Sequence, residues 1–263
     1  MNDNISFYEA FARYYVEYYG HMDANEVVHQ WVIRLKGLGL VADPISASSL
    51  RLLDLGCGPG WHLRAWQNAG FEVSGMDVSP SMLKLASVQS NAGVGTDILL
   101  YCADIRDTSS LQSLRGSFDV VVCHFNFLNL FEVLELPLVF AGIRRMLSKG
   151  GTCMVDVTFP DERTGAYKEG QEIEEMSASQ LKRSVSLEGR RIDQQWVMDG
   201  RIFHESYWLH TQVELETCAR GEGLELHSIS PWLPNGEPGG IRNYGLRRVL
   251  LTFGSAQRAQ QFE

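Results

Sequence analysis

At 263 residues and 44% apolar composition, the chain is long enough to bury one large core, or a core with an appendage. Its formal charge of −9 argues against a nonspecific nucleic-acid binder, which needs a basic surface to neutralise phosphates; Arg242, Arg247 and Arg248 are the nearest approach to a basic patch. No run approaches about 18 consecutive apolar residues, so no membrane span is expected, and MNDNISFYEA lacks the basic-then-apolar pattern of a secretory leader.

Residues 5–40 read as helical. Phe7, Phe11, Tyr14 and Tyr18 recur at spacings of three and four, as do Val28, Trp31, Val32 and Leu35. Asp43–Ser49 is a polar, proline-containing connector. From residue 50 short apolar strands alternate with helices. Strands are expected at Leu50–Leu55, Phe71–Met76, Ile98–Ala103, Phe118–Cys123 and Thr152–Phe159. Helices are expected at His62–Ala69, in SPSMLKLASVQS behind its serine-proline start, and near Leu134–Leu147, with a turn at Lys149–Gly151. Strands separated by helices imply parallel pairing through right-handed crossovers, hence an α/β doubly wound sheet.

After Pro160 the pattern loosens. Asp161–Arg190 is polar and reads as a helix with flexible flanks. Arg191–His210 alternates about an Asp199-Gly200 pair, the signature of a β-hairpin. A helix near Thr211–Arg220 and closing strands at Leu224–Ser230 and Arg247–Phe253 complete the chain. The expected organisation is a helical cap over residues 1–45 and a main domain over 46–263, with a lid or substrate insertion at about 161–212. The five cysteines (57, 102, 123, 153, 218) form no CxxC pair and four lie in or beside apolar runs, which suits free thiols in a reduced, cytoplasmic protein.

The stretch LLDLGCGPGWH carries glycines at 56, 58 and 60 between the first strand and a helix. An open α/β sheet binds ligands at the carboxyl ends of its strands, and bare backbone there permits both the turn and a ligand's close approach. A dinucleotide fingerprint would place its last glycine at Trp61, and a pyrophosphate gains nothing from Asp54; a ligand with a cationic amino group would. Asp77 closes the second strand about twenty residues on, where a carboxylate accepts from adjacent ribose hydroxyls. Asp104 closes the third and could accept from an exocyclic amine.

LLDLGCGPG, GMDVS, ADIRD, FDVVVCHFNFLNL and LSKGGTCMVDV, in this order over roughly residues 50–158, resemble the successive motifs of the class I S-adenosylmethionine-dependent methyltransferases. The resemblance implies a Rossmann-like, mostly parallel seven-stranded sheet whose antiparallel strand Arg247–Phe253 could supply. It implies S-adenosyl-L-methionine as cofactor. Asp54 with Gly56, Cys57, Gly58 and Gly60 would hold its methionine moiety and Asp77 its ribose. Val78 and Met82 would flank the adenine, Asp104 and Ile105 would read its edge, and Cys123–His124 would run beside the amino group.

Methyl transfer from a sulfonium needs alignment and exclusion of water, and needs a base only when the acceptor carries a proton at the moment of attack. CHFNFLNL lacks the N/D-P-P-Y/F tetrapeptide of enzymes acting on DNA amines and the proline-cysteine pair of cytosine C5 enzymes. FYEAFARYYVEYYG resembles the cofactor-closing helix of small-molecule N- and O-methyltransferases, with Tyr15 the candidate contact. RIDQQWVMDGRIFHESYWLH resembles an antiparallel hairpin lid, from which at most two or three of Trp196, Phe203, Tyr207 and Trp208 would line the pocket. His124 is the favoured base, with Tyr14, His204 and His210 as competitors. No two histidines pair with a carboxylate at metal-ligand spacing, so no metal is expected. The expected partner is a small-molecule methyl acceptor, an amine or hydroxyl, with neither nucleic acid nor membrane, for a monomer or homodimer. A cyclase or eliminase using the same cofactor, and a non-catalytic cofactor-binding subunit, stay open. Asp161–Arg190 and Pro231–Tyr244 are where the acceptor's identity would be encoded.

Overall fold

In the computed structural model of the protein, residues 3–19, 23–41, 50–91, 97–160, 170–176, 181–232 and 246–255 are described. Strand β1 (Arg51–Leu55) is buried from Leu52 onward, the pattern of a strand covered on both faces. It pairs in parallel with β2 (Glu72–Asp77) on one side and β4 (Phe118–Cys123) on the other. Strand β3 (Leu99–Cys102) lies beyond β2, and β5 (Leu147–Pro160) beyond β4, both parallel. Two antiparallel strands complete the sheet, β11 (Leu246–Ser255) against β5 and β10 (Leu224–Pro231) against β11. The resulting seven-strand order is β10-β11-β5-β4-β1-β2-β3. Chain direction across the sheet reverses between β1 and β4, and that switch point opens the ligand crevice of a doubly wound fold.

The two faces follow from alternation along the strands. Leu52, Val120, Val122, Met154 and Leu250 pack with α2 (Ala24–Gly37) and α3 (Trp61–Asn68), whose Trp31 and Trp66 meet edge to face at 6.3 Å. Leu53, Leu55, Val121, Val155 and Leu251 turn the other way, onto α5 (Leu136–Met146) and α6 (Gln212–Gly221). Helix α4 (Pro80–Asn91) starts with proline at its first position, as its sequence indicates. Thr211 caps α6 through a reciprocal capping box with Glu214.

Three expectations need correction. The helical stretch 5–40 is two helices, α1 (Asp3–Tyr19) and α2, the second capped by Asp23, whose side chain accepts from the Asn25 and Glu26 N–H groups. The turn at Lys149–Gly151 is absorbed into β5, with a register shift against Phe118 and Val120. Asp161–Arg190 is not a helix where it is described. Gly170–Met176 and Leu181–Glu188 are strands β6 and β7, which join the hairpin β8 (Arg191–Met198) and β9 (Arg201–Trp208) in a four-stranded antiparallel sheet, β6-β7-β8-β9. The outer edge of the hairpin needs hydrogen-bond partners, and a polar segment supplies them as well as an apolar one. The hairpin itself is as expected, with Asp199 (φ 48°) and Gly200 (φ 71°) in the left-handed pair that a tight two-residue turn requires. The Asp43–Ser49 connector and the 233–244 part of the acceptor region lie outside the described residues.

Candidate active site

A cavity open to solvent lies at the carboxyl ends of β1, β2 and β4, covered by α1. Tyr15, Asp54, Gly56, Cys57, Gly58, Asp77, Val78, Met82, Asp104, Ile105 and His124 all line it, although the sequence scatters them over 110 positions (124 − 15 + 1). Gly60, Cys123 and Tyr14 do not. Cys123 faces the opposite side of β4, in the core with Cys153, because successive residues of a strand alternate. Tyr14 carries Arg13 over its ring at 4.8 Å and stands one helical step away from Tyr15, which meets Trp61 edge to face at 5.2 Å in the cavity wall.

The three glycines have distinct physical reasons. All sit at positive φ, 73°, 52° and 84° for Gly56, Gly58 and Gly60. A Cβ on Gly56 would lie 2.6 Å from the Phe127 ring, and one on Gly60 would lie 3.0 Å from the Ala86 Cβ on α4. A Cβ on Gly58 meets nothing within 4 Å. The expectation that all three are bare for a ligand is therefore corrected. Gly56 lines the cavity but, like Gly60, makes room for protein, whereas a Cβ on Gly58 would enter open space.

The three strand-end carboxylates stand in three electrostatic states. Asp77 accepts from the Gly58 and Ser79 N–H groups, each at 2.9 Å, and so fastens the end of β2 to the glycine loop; burial still raises its pKa. Asp104 accepts from the Arg106 N–H at 2.9 Å and pairs with the Arg106 guanidinium at 2.6 Å, which also reaches Glu135 at 2.5 Å. Burial pulls Asp104 upward, but the Arg106 hydrogen bonds outweigh it and hold the group below the usual carboxylate range. Arg106 escaped the sequence reading, although a residue two positions beyond a strand-end aspartate is where an Asx turn places an N–H donor. Asp54 is the exception. It is 1% exposed, neither oxygen has a hydrogen-bond partner, and burial, then Asp77 and Asp156, push its pKa up to about 8.

Beside Asp54, the rings of His62 and His124 stack at 4.0 Å and 11°, and Trp31 stacks on His124 at 4.1 Å. His62 also lines the cavity and was missed in the sequence, where its only signal is its place just after the glycines. Burial, then Arg248, lowers its pKa to about 3. His124 Nε2 lies 3.1 Å from the indole N–H of Trp66 and accepts from it. Burial, then His62 and Arg248, drives the His124 pKa well below normal. Both features weigh against His124 as the expected base, since burial disfavours its protonated form and its Nε2 lone pair accepts from Trp66.

Atoms of Asp54, His62 and His124 lie within 4.8 Å of one another, a proximity that linear spacing hid. They fit a metal poorly. Ring planes stacked at 11° cannot both aim an in-plane lone pair at one ion. The other base candidates stand off the cavity: His204 is exposed, and His210 Nε2 bonds the Leu128 carbonyl at 3.1 Å.

The lid aromatics are also corrected. None of Trp196, Phe203, Tyr207 and Trp208 lines the cavity. Trp196 is fully buried against Phe7 (5.6 Å) and Phe11 (4.9 Å), so β8 and β9 support α1, and α1 presents Asn4, Ile5, Tyr8 and Tyr15 to the cavity. Tyr8 and Tyr207 both donate to Glu205 Oε1, at 2.5 and 2.7 Å, and Glu9 receives the hydroxyls of Ser79 and Ser81 at the start of α4. The loop after β4 is held equally firmly. Phe125 (φ 57°) and Asn126 (φ 58°) are left-handed, and both donate their N–H groups to Asp156, which pairs with Arg248 at 2.7 Å.

A glycine loop, an unpaired buried carboxylate at β1 and a carboxylate at β2, set at the switch point of a seven-stranded sheet, define a class of nucleoside-cofactor enzymes. Residues 52–151 match the family described as a methyltransferase domain. The malonyl-[acyl-carrier protein] O-methyltransferase of Erwinia billingiae is 31% identical over 133 residues, 51% of this chain and 49% of that protein, so the chain matches about half that relative's length. An S-adenosylmethionine-dependent methyltransferase from Clostridium acetobutylicum superposes with a TM-score of 0.71 at 16% identity, covering 95% of this chain and 99% of that one. The S-adenosylmethionine-bound amino pentose methyltransferase of Micromonospora echinaspora gives 0.63 at 21% identity, covering 92% and 96%. At these identities the two structures establish the shared fold.

Proposed function

We propose that this protein is an S-adenosylmethionine-dependent methyltransferase acting on an amine or hydroxyl of a small-molecule metabolite. The observation that carries the reading is Asp54, a buried carboxylate with two unpartnered oxygens in a cavity wall. Leaving such a group unpaired costs free energy that a cationic ligand recovers. The open space beside Gly58 leaves room for that ligand's approach. Bound S-adenosylmethionine supplies a methyl group already activated on a sulfonium. The chain's residues then bind, orient and exclude water. Asp54 and the Gly58 backbone take the methionine end, Asp77 the ribose, and Val78, Met82, Asp104 and Ile105 the adenine. Tyr15 closes the cavity from α1.

The relatives are named as a malonyl-[acyl-carrier protein] O-methyltransferase and an amino pentose methyltransferase, names that support a small or carrier-borne acceptor. The division into a cap (1–45) and a main domain (46–263), a monomeric or homodimeric state, a cytoplasmic location, and independence of metal, membrane and nucleic acid belong to the same proposal. Among the described residues no helix is long and apolar enough to cross a membrane.

Calorimetric titration of the purified protein with S-adenosylmethionine and S-adenosylhomocysteine tests it. Binding that collapses in Asp77→Ala is expected; a protein that ignores both ligands overturns the reading. Labelled-cofactor screening of metabolite pools identifies the acceptor, and a product without an added methyl mass points to a cyclase or eliminase instead.

A further inference from the structure

We propose that Trp66 is a positioning residue that fixes His124 in its Nδ1–H tautomer, so that the cavity receives a hydrogen-bond donor from His124 rather than a basic lone pair. The ligand half of this inference rests on the methyltransferase reading; the tautomer half does not.

An indole nitrogen is only a donor, and a neutral imidazole has one donor and one acceptor nitrogen. Trp66 Nε1 lies 3.1 Å from His124 Nε2, so Nε2 must be the acceptor and the proton must sit on Nδ1. The opposite tautomer would set two N–H groups against each other in a fully buried place. Turning the ring over would keep its stacks on Trp31 at 4.1 Å and His62 at 4.0 Å, but it would put Cε1 where Nε2 stands and leave the buried Trp66 N–H without an acceptor. Trp66 is completely buried in the core between α2, α3 and the sheet, and it does not reach the cavity. His124 does, and its Nδ1 is buried with no partner.

The cavity wall therefore carries two unmatched groups of opposite polarity side by side. Ionised by a cationic ligand, Asp54 offers two acceptor oxygens, and His124 Nδ1 offers one donor. A ligand end with an ammonium and a carboxylate on one carbon satisfies both at once, the ammonium at Asp54 and the carboxylate at Nδ1–H. An uncharged or decarboxylated analogue satisfies only part of the pair. This assigns the selectivity of the methionine end to a side chain on β4 and to a tryptophan that touches no ligand. It also removes His124 from any role as proton acceptor for the methyl acceptor.

Long-range proton–nitrogen correlation on ligand-free, nitrogen-15-histidine-labelled protein reads the tautomer directly. His124, assigned by its disappearance in His124→Asn, is expected to show a protonated Nδ1 and an unprotonated Nε2, and Trp66→Phe is expected to lose that pattern. For S-adenosylhomocysteine, His124→Asn keeps an N–H near the Nδ1 position and should bind close to wild type. His124→Gln, whose amide reaches toward Nε2, and Trp66→Phe should each bind about tenfold more weakly, the scale of one hydrogen bond to a charged group. A wild-type His124 protonated at Nε2 overturns the proposal. So does His124→Gln binding better than His124→Asn, or a shift of both the His62 and His124 signals on adding zinc. If wild type fails to bind the cofactor at all, the function proposed above falls, while the tautomer result still decides this inference.

Discussion

The junction between α1 and β9 and the cluster at the end of β1 and β4 are both buried, both polar, and opposite in state. At the junction every side chain just described has its match. Tyr8 and Tyr207 donate to Glu205, and Asn4 accepts from the Ser206 N–H and donates to the Ser206 and Leu130 carbonyls. At the cluster, Asp54 has no partner and His124 has one nitrogen without one. An orphaned buried group is costly unless a ligand completes it, and Asp54 and His124 are orphans whose residues line the cavity.

Four measurements press on that contrast. The largest effect is expected in the supporting apolar layer. Trp196→Ala removes a fully buried indole under α1 and should cost about 3–5 kcal/mol in denaturant unfolding. Next comes Asp54→Asn, which should weaken S-adenosylhomocysteine binding by about 1.5–3 kcal/mol, the worth of a hydrogen bond to a charged group, while raising the melting temperature of the ligand-free protein at pH 8. The sign follows from linkage. The folded-state pKa of Asp54 is raised to about 8, so the folded protein holds this proton more tightly than the unfolded chain, and stability is lost as pH rises from the ordinary aspartate range through about 8. The stabilisation in Asp54→Asn should therefore shrink toward pH 4 and be full above pH 8. A melting temperature that falls in Asp54→Asn at every pH would mean that Asp54 has a partner after all.

Glu205→Gln should show the reverse balance. Glu205 is 2% exposed and accepts two tyrosine hydroxyls, so its loss should cost about 1–2 kcal/mol of stability and leave cofactor affinity largely intact, as read by parallel unfolding and calorimetry. His204→Ala marks the floor. The side chain is exposed and away from the cavity, so stability should stay within about 0.5 kcal/mol and turnover should be unchanged. A turnover defect there would restore it as a base.

The strands β1 to β5, the Asp199-Gly200 turn, the helix near Thr211–Arg220 and the carboxylates at the ends of β1, β2 and β3 were legible in the sequence. Each is a local signal: an apolar run, a left-handed pair, a helical period, an acid where a strand stops. The β6 and β7 strands were not legible, because LKRSVSLE and GQEIEEM lack the apolar alternation that a strand with one face in a core would show. Their pairing is set by the free edge of β8, which composition does not display.

The sequence by itself thus determined the sheet, the place of the cofactor crevice and most of its wall, because those follow from short-range periodicity and turn chemistry. Only the tertiary structure decided what each wall residue does. Gly56 and Gly60 serve Phe127 and Ala86, Asp104 is shared with Arg106, the aromatics of β8 and β9 stand behind α1, and Trp66 meets His124 across 58 positions of chain. Protonation, pairing and exposure depend on neighbours that the chain brings together only when it folds, and those quantities separate a ligand's contact from a packing contact.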